Sequence, residues 1–206
     1  MEIRKFRHAC LELTKDNKSL IIDPGGWSTD FEPNDKIIGV VITHEHGDHF
    51  EKAQLQKILK KNPEVCIYAH VDIIAQLDDF AETKRSVAAG ETVIVGPFSL
   101  RFTGGTHATI HPDYPVCANL GVIVDDGKLY YPGDSYALPN CDIDMLAVPA
   151  SAPWMKMSEA MDFITAVKPK SCFPTHDVLL SPEGNELTKA WLTKAADLVN
   201  AKFIIL

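Results

Sequence analysis

The chain has 206 residues, 46% hydrophobic and 23% charged, with a formal net charge of −8. That length suits one large domain or two small ones, and no low-complexity tract or polar linker divides it, so a single domain over residues 1–206 is expected. The acidic balance excludes a general electrostatic grip on nucleic acid or an anionic membrane, which needs clustered Lys and Arg, and leaves a small molecule as the expected partner.

In chain order, Arg4 to Leu13 (RKFRHACLEL) predicts a strand that carries His8; charges interrupt its apolar positions too often for a signal-peptide core. No later run approaches membrane-spanning length, so a cytoplasmic location is expected. Strands are predicted at SLIIDPG (19–25) and IIGVVIT (37–43), followed by a helix over 49–61, where Leu55, Ile58 and Leu59 recur at helical spacing. A strand at EVCIYAH (64–70) and a helix over 71–80 come next. Further strands are predicted at 92–96, 98–105, 119–126, 128–134 and 144–150, then a helix over 157–167, a strand at 171–176, a helix over 186–200 and a strand at 202–206. Cys10, Cys66, Cys117, Cys141 and Cys172 are odd in number and include no CxxC pair, so they form neither a disulfide framework nor a structural zinc knuckle.

The order contains a weak repeat. SLIIDPG, IIGVVITH, a helix and EVCIYAH are echoed by KLYYPGD, DIDMLAVPA, a helix and KSCFPTH. Two similar β-then-α halves are expected, packed sheet against sheet with helices outside and the polar strand ends gathered on one edge.

That edge includes HEHGDH at residues 44–49. His44 and His46 are two apart in chain leaving a strand and can point the same way, and Asp48 and His49 are expected at the start of the following helix. Imidazole and carboxylate without thiolate suit zinc, with manganese or iron as alternatives, and two pairs of donors suggest two ions. A capped helix start would explain Asp48 but not three histidines.

HxHxDH after a strand resembles the metallo-β-lactamase superfamily, and the resemblance extends over nearly the whole chain: IIDPG with Asp23, GGTHAT with His107, YPGDS with Asp134 and FPTH with His176 follow in order. It looks closest to the compact single-domain hydrolases that include ascorbate phosphate lactonase. The resemblance implies a four-layer αββα sandwich. It also implies one ion held by His44, His46 and His107, a second by Asp48, His49 and His176, and Asp134 bridging them. Asp23 would orient the ligands through hydrogen bonds. His111, four residues past His107, is the competing third ligand. His70 is left without a metal position and reads as structural. Similar hydrolases often have Gly-His-Ala where this chain has Arg7-His8-Ala9; a buried, hydrogen-bonded His8 is expected, with a substrate-side role the weaker alternative.

The implied activity is dinuclear hydrolysis of a small ester-like substrate (a lactone, phosphodiester, thioester or amide) by a metal-bridging hydroxide, with Asp48 helping to hold it or move its proton. Trp27, Tyr114, Trp154 and Met155 are candidate pocket walls. True β-lactamases usually have cysteine in place of Asp134 and are secreted, and flavodiiron relatives usually have Glu in place of His46. The nuclease branches and glyoxalase II-type thioesterases add segments for which this chain shows no room. The rival readings are a mononuclear iron oxygenase on the same fold and a metal-binding protein without turnover. A homo-oligomer is compatible with each of these readings.

Overall fold

The computed structural model describes residues 1–206, the side chains of residues 79, 81 and 82 excepted. Its first sheet consists of β1 (Glu2–Lys5), β2 (Leu11–Lys15), β3 (Lys18–Ile22), β4 (Ile37–Ile42), β5 (Cys66–Ala69) and β6 (Lys84–Ser86), neighbours in that order. β1 to β3 form an antiparallel meander, and β4, β5 and β6 continue it in parallel. The second sheet repeats the scheme after one added strand. β7 (Thr92–Val95), β8 (Phe98–Thr106), β9 (Ala118–Val124) and β10 (Leu129–Tyr131) are antiparallel, and β11 (Met145–Pro149), β12 (Ser171–Thr175) and β13 (Lys202–Phe203) are parallel. Parallel neighbours require crossovers. The long helical ones are α1 (Lys52–Lys61) between β4 and β5, α3 (Met157–Val167) between β11 and β12, and α4 (Pro182–Leu198) between β12 and β13. The single turn α2 (Val71–Ile74) follows β5.

Alternation along the strands decides the layering. Leu20, Ile22 and Val41 of the first sheet pack in one buried cluster with Leu129, Tyr131 and Ala147 of the second. Their sequence neighbours Ile21, Val40 and Ile42 face α1 through Leu55 and Ile58. Tyr130, Leu146 and Val148 face α3 and α4 through Phe163, Ile164 and Leu192. A period of two therefore feeds three separate cores, and the layers run helix, sheet, sheet, helix.

The structure corrects four local expectations. The strand predicted from Arg4 to Leu13 is two strands, because His8 takes a left-handed backbone (φ 66) and Phe6 N–H closes the intervening loop onto Cys10 O at 2.9 Å. The helix expected over 71–80 is only the turn α2 and a 3-10 segment at Asp78–Thr83. Asp48 and His49 lie in a turn, where His46 O accepts both His49 N–H and Phe50 N–H, and α1 starts only at Lys52 behind the Glu51 cap. Finally, α4 begins before residue 186, since Ser181 caps it and Pro182 occupies its first turn.

Candidate metal centre

Strands of both sheets, parallel and antiparallel, end on the same edge, and the polar residues that follow them meet there. His44 and His46 follow β4, His107 follows β8, Asp134 follows β10 and His176 follows β12. Two donor groups result, each with one ligand atom per residue within 4.8 Å of the others: His44, His46, His107 and Asp134 in one, and His8, Asp48, His49 and His176 in the other. Asp134 also lies against the second group, 3.2 Å from His49 Nε2 and 3.1 Å from His176 Nε2, while remaining 3.4 Å from His107 Nε2. The structure thus brings together all seven residues expected as ligands and adds His8.

Hydrogen bonding fixes which ring nitrogen faces inward. His49 Nδ1 donates to Asp23 Oδ2 at 2.7 Å, His107 Nδ1 to Ala108 O at 2.5 Å and His176 Nδ1 to Ser151 O at 2.6 Å. Thr43 Oγ1 gives its one proton to Asp23 Oδ2, so at 3.1 Å it accepts from His44 Nδ1. In all four rings the other nitrogen, Nε2, is buried without a hydrogen-bond partner, as is Asp134 Oδ1. Orphaned donors turned toward one another are costly unless something cationic joins them, so the residues fit divalent ions. His46 turns Nε2 toward Cys117 Sγ at 4.0 Å, which leaves Nδ1 for the cluster.

Asp23 supports this arrangement from behind. Fully buried with φ 49, it also accepts Thr43 N–H at 2.8 Å, and so holds the end of β4 and the His49 ring together. Gly25 permits the close approach: a Cβ there would lie 1.8 Å from Asp48 O. On the other sheet Asn119 accepts Asp134 N–H at 3.0 Å and donates to Pro132 O at 2.9 Å, bracing the turn that presents Asp134. Nothing in the pattern of the sequence around Asn119 marks it for this role.

Charge is distributed unevenly among the rings. Burial holds the His44 imidazole well below its ordinary pKa, and His46 and His8 are lowered for the same reason. Burial would also lower His49 and His176, but Asp134 with Asp23, and Asp134 with Asp48, outweigh it; His49 is pushed well up and His176 to about 9. The same partnership holds Asp48 and Asp134 below the usual carboxylate range against the opposing effect of burial. Without an ion, protons on His49 and His176 balance the two carboxylates.

The remaining candidates separate clearly. His111 is exposed and pairs with Asp113 at 3.6 Å, outside both donor groups. His70 caps α2, accepting Asp72 N–H. Trp27 stands edge-on to His8 with ring centroids 4.8 Å apart, and Trp154 Nε1 donates to Asp134 Oδ2 at 2.9 Å. Met155 instead packs beneath Tyr136 in the outer core of the second sheet. The loop joining β8 to β9 exposes Ile110, Tyr114 and Val116 in a small pocket that reaches His46 and His107. Exposed apolar side chains grouped beside polar donors are a usual feature of ligand sites.

Comparison with known proteins finds relatives of both the sequence and the fold. A sequence model described as a beta-lactamase superfamily domain matches residues 2–176. Protein Rv0786c of Mycobacterium tuberculosis is 36% identical over 94% of this chain and 92% of its own length. A protein of Pyrococcus abyssi named as a metal-dependent hydrolase is 25% identical over 85% of this chain and 84% of its own. Among solved structures, CmlA, a diiron β-hydroxylase of Streptomyces venezuelae, shares the fold with a TM-score of 0.78 at 14% identity, covering 99% of this chain and 52% of that one.

Proposed function

Since the chain belongs to the metallo-β-lactamase superfamily, we propose that it is a metal-dependent hydrolase of a small ester-like molecule, forming one domain over residues 1–206 and using two divalent ions. The observation that carries this reading is the convergence of four histidines, each bonded through Nδ1 and orphaned at Nε2, on both sides of one buried carboxylate. His44, His46 and His107 would hold one ion, Asp48, His49 and His176 the other, and Asp134 both. Zinc suits this nitrogen-rich, thiolate-free set, with manganese or iron as alternatives.

Ions bound there supply Lewis acidity and a water whose pKa falls from 15.7 toward about 7. The chain's own groups do the rest. Asp48 is the more accessible carboxylate, its side chain 14% exposed against 4% for Asp134, and so is placed to accept a hydrogen bond from the attacking water. From there it would orient the water and help move its proton toward the leaving group. Ile110, Tyr114 and Val116 offer an apolar wall for the body of the substrate. Five free cysteines among the described residues support a reducing compartment such as the cytoplasm, and among the same residues no helix is long and apolar enough to cross a membrane.

The test is metal analysis of protein purified without added metal, then a panel of lactones, phosphodiesters, thioesters and amides assayed with zinc, manganese and iron. About two ions per chain and turnover of one bond class are expected. A single iron with oxygen-dependent turnover would replace this reading by the oxygenase one. Bound metal with no turnover across the panel would favour a binding role.

A further inference from the structure

We propose that His8 and Trp154 are positioning residues, each donating an N–H to one carboxylate of the metal set and holding it in the orientation that faces the ion. This rests on the dinuclear reading above and adds two residues that lie outside the HxHxDH motif.

The evidence is a contrast in alignment. Nε2 of His176 lies 3.1 Å from Asp48 Oδ2 and 3.1 Å from Asp134 Oδ2, and Nε2 of His107 lies 3.4 Å from Asp134 Oδ2. None of these contacts is an aligned hydrogen bond, and both nitrogens are buried without a hydrogen-bond partner. His8 does the reverse. Its Nε2 makes an aligned bond of 2.9 Å to Asp48 Oδ2, and Nδ1 is the nitrogen left without a partner. A carboxylate oxygen here only accepts, so His8 donates. Its ring faces a ligand rather than an ion.

Trp154 makes the case without any choice of tautomer. An indole N–H donates only and cannot ligate a metal, yet Trp154 Nε1 sits 2.9 Å from Asp134 Oδ2, the oxygen that also lies nearest His107 and His176.

Both donors are held firmly. His8 is fully buried, accepts His176 N–H on its carbonyl at 3.0 Å, and lies between Trp27 and the His176 ring, with centroids 4.8 and 4.0 Å away. Trp154 stands edge-on to Tyr136 at 5.1 Å. An aspartate carboxylate turns easily about its last bond. A fixed N–H on one oxygen removes that freedom before an ion arrives, so ion binding does not bear the ordering cost.

The experiment titrates Co²⁺ into metal-free protein against a chromophoric chelator, reading two dissociation constants and the visible absorption of the bound ion. Four proteins are compared: wild type, His8→Leu, His8→Gln, which keeps an N–H near the position of Nε2, and Trp154→Phe. His8→Leu should weaken one ion by about 10–100-fold, with His8→Gln recovering most of the loss; Trp154→Phe should weaken binding to a similar extent and shift the absorption band. Trp154 is only partly buried, so its variant decides the matter if His8→Leu fails to fold.

Wild-type constants and spectra in both the Leu and Phe variants would overturn the proposal. An ion lost outright in His8→Leu and equally in His8→Gln would make His8 a ligand and overturn its half of the proposal. Failure of the dinuclear reading is distinguishable, because wild type itself would then bind fewer than two ions.

Discussion

Asp134 is the residue on which the two donor groups depend, lying against His49, His107 and His176 at 3.1–3.4 Å. Asp134→Ala removes one negative charge and the carboxylate that, on the proposed reading, both ions would share. At least one ion should be lost and turnover should fall by about 100-fold or more. The metal-free chain should still fold, since the change is in a cleft rather than in the apolar cores; metal content and circular dichroism check both parts. The donors within residues 44–49 are legible in the sequence because one turn compresses them, and His107, Asp134 and His176 follow from resemblance and order. His8 is buried and hydrogen-bonded as expected, but its partner, like those of Asn119 and Trp154, is distant in the chain, 40, 15 and 20 residues away respectively. No spacing rule reaches that far.

Among the elements, the tightest constraint lies where the chain leaving β3 passes the turn that carries Asp48 and His49. Gly25→Ala would drive a methyl group into Asp48 O and His49 N, at 1.8 and 2.5 Å. Both are backbone atoms that no rotamer change can move aside. The turn must shift, so the ion assigned to Asp48 and His49 should bind at least about 10-fold more weakly while the His44, His46 and His107 ion is less affected; a two-site titration reads the difference. The helices and strands with strong periodicity were legible: α3 spans the expected 157–167. β6, with the sequence KRS, carries no apolar signal and is set by its pairing to β5. Between β1 and β2 the buried phase shifts, from Phe6 to Leu11 and Leu13 across the contiguous buried run His8 to Leu11, and the positive φ at His8 marks the turn.

The whole molecule has two superposed schemes, each an antiparallel meander extended by parallel strands, and the repeat of strand ends on Asp and His made that duplication legible. Residues from both sheets carry the donors, so ion binding should stabilise the fold as a unit, by about 2.7 kcal/mol with free ion at 100 times its dissociation constant. Chelation should lower the thermal midpoint accordingly. Proton linkage gives this a pH signature. In metal-free protein His176 has its pKa raised from 6.5 to about 9, so its contribution is fully present below pH 6.5 and is lost as pH rises through about 9. The midpoint of the stripped protein should therefore fall across that window, whereas the loaded protein should not show the same loss. Ion binding at pH 7.5 should release protons from His49 and His176, measurable by calorimetry in buffers of different ionisation enthalpy. Stripped protein with a constant midpoint from pH 6.5 to 9 would contradict the assignment.

The bond from His176 N–H to His8 O also has a meaning in time. A ribosome delivers the chain from its amino end, so the four donors between residues 44 and 49 leave the tunnel long before residue 176 exists. Until then His8 has no strand end to grip and Asp134 has no histidine from β12 beside it. On the proposed ligand set, a nascent chain would therefore offer an ion only part of its donors, and loading would wait for the arrival of β12.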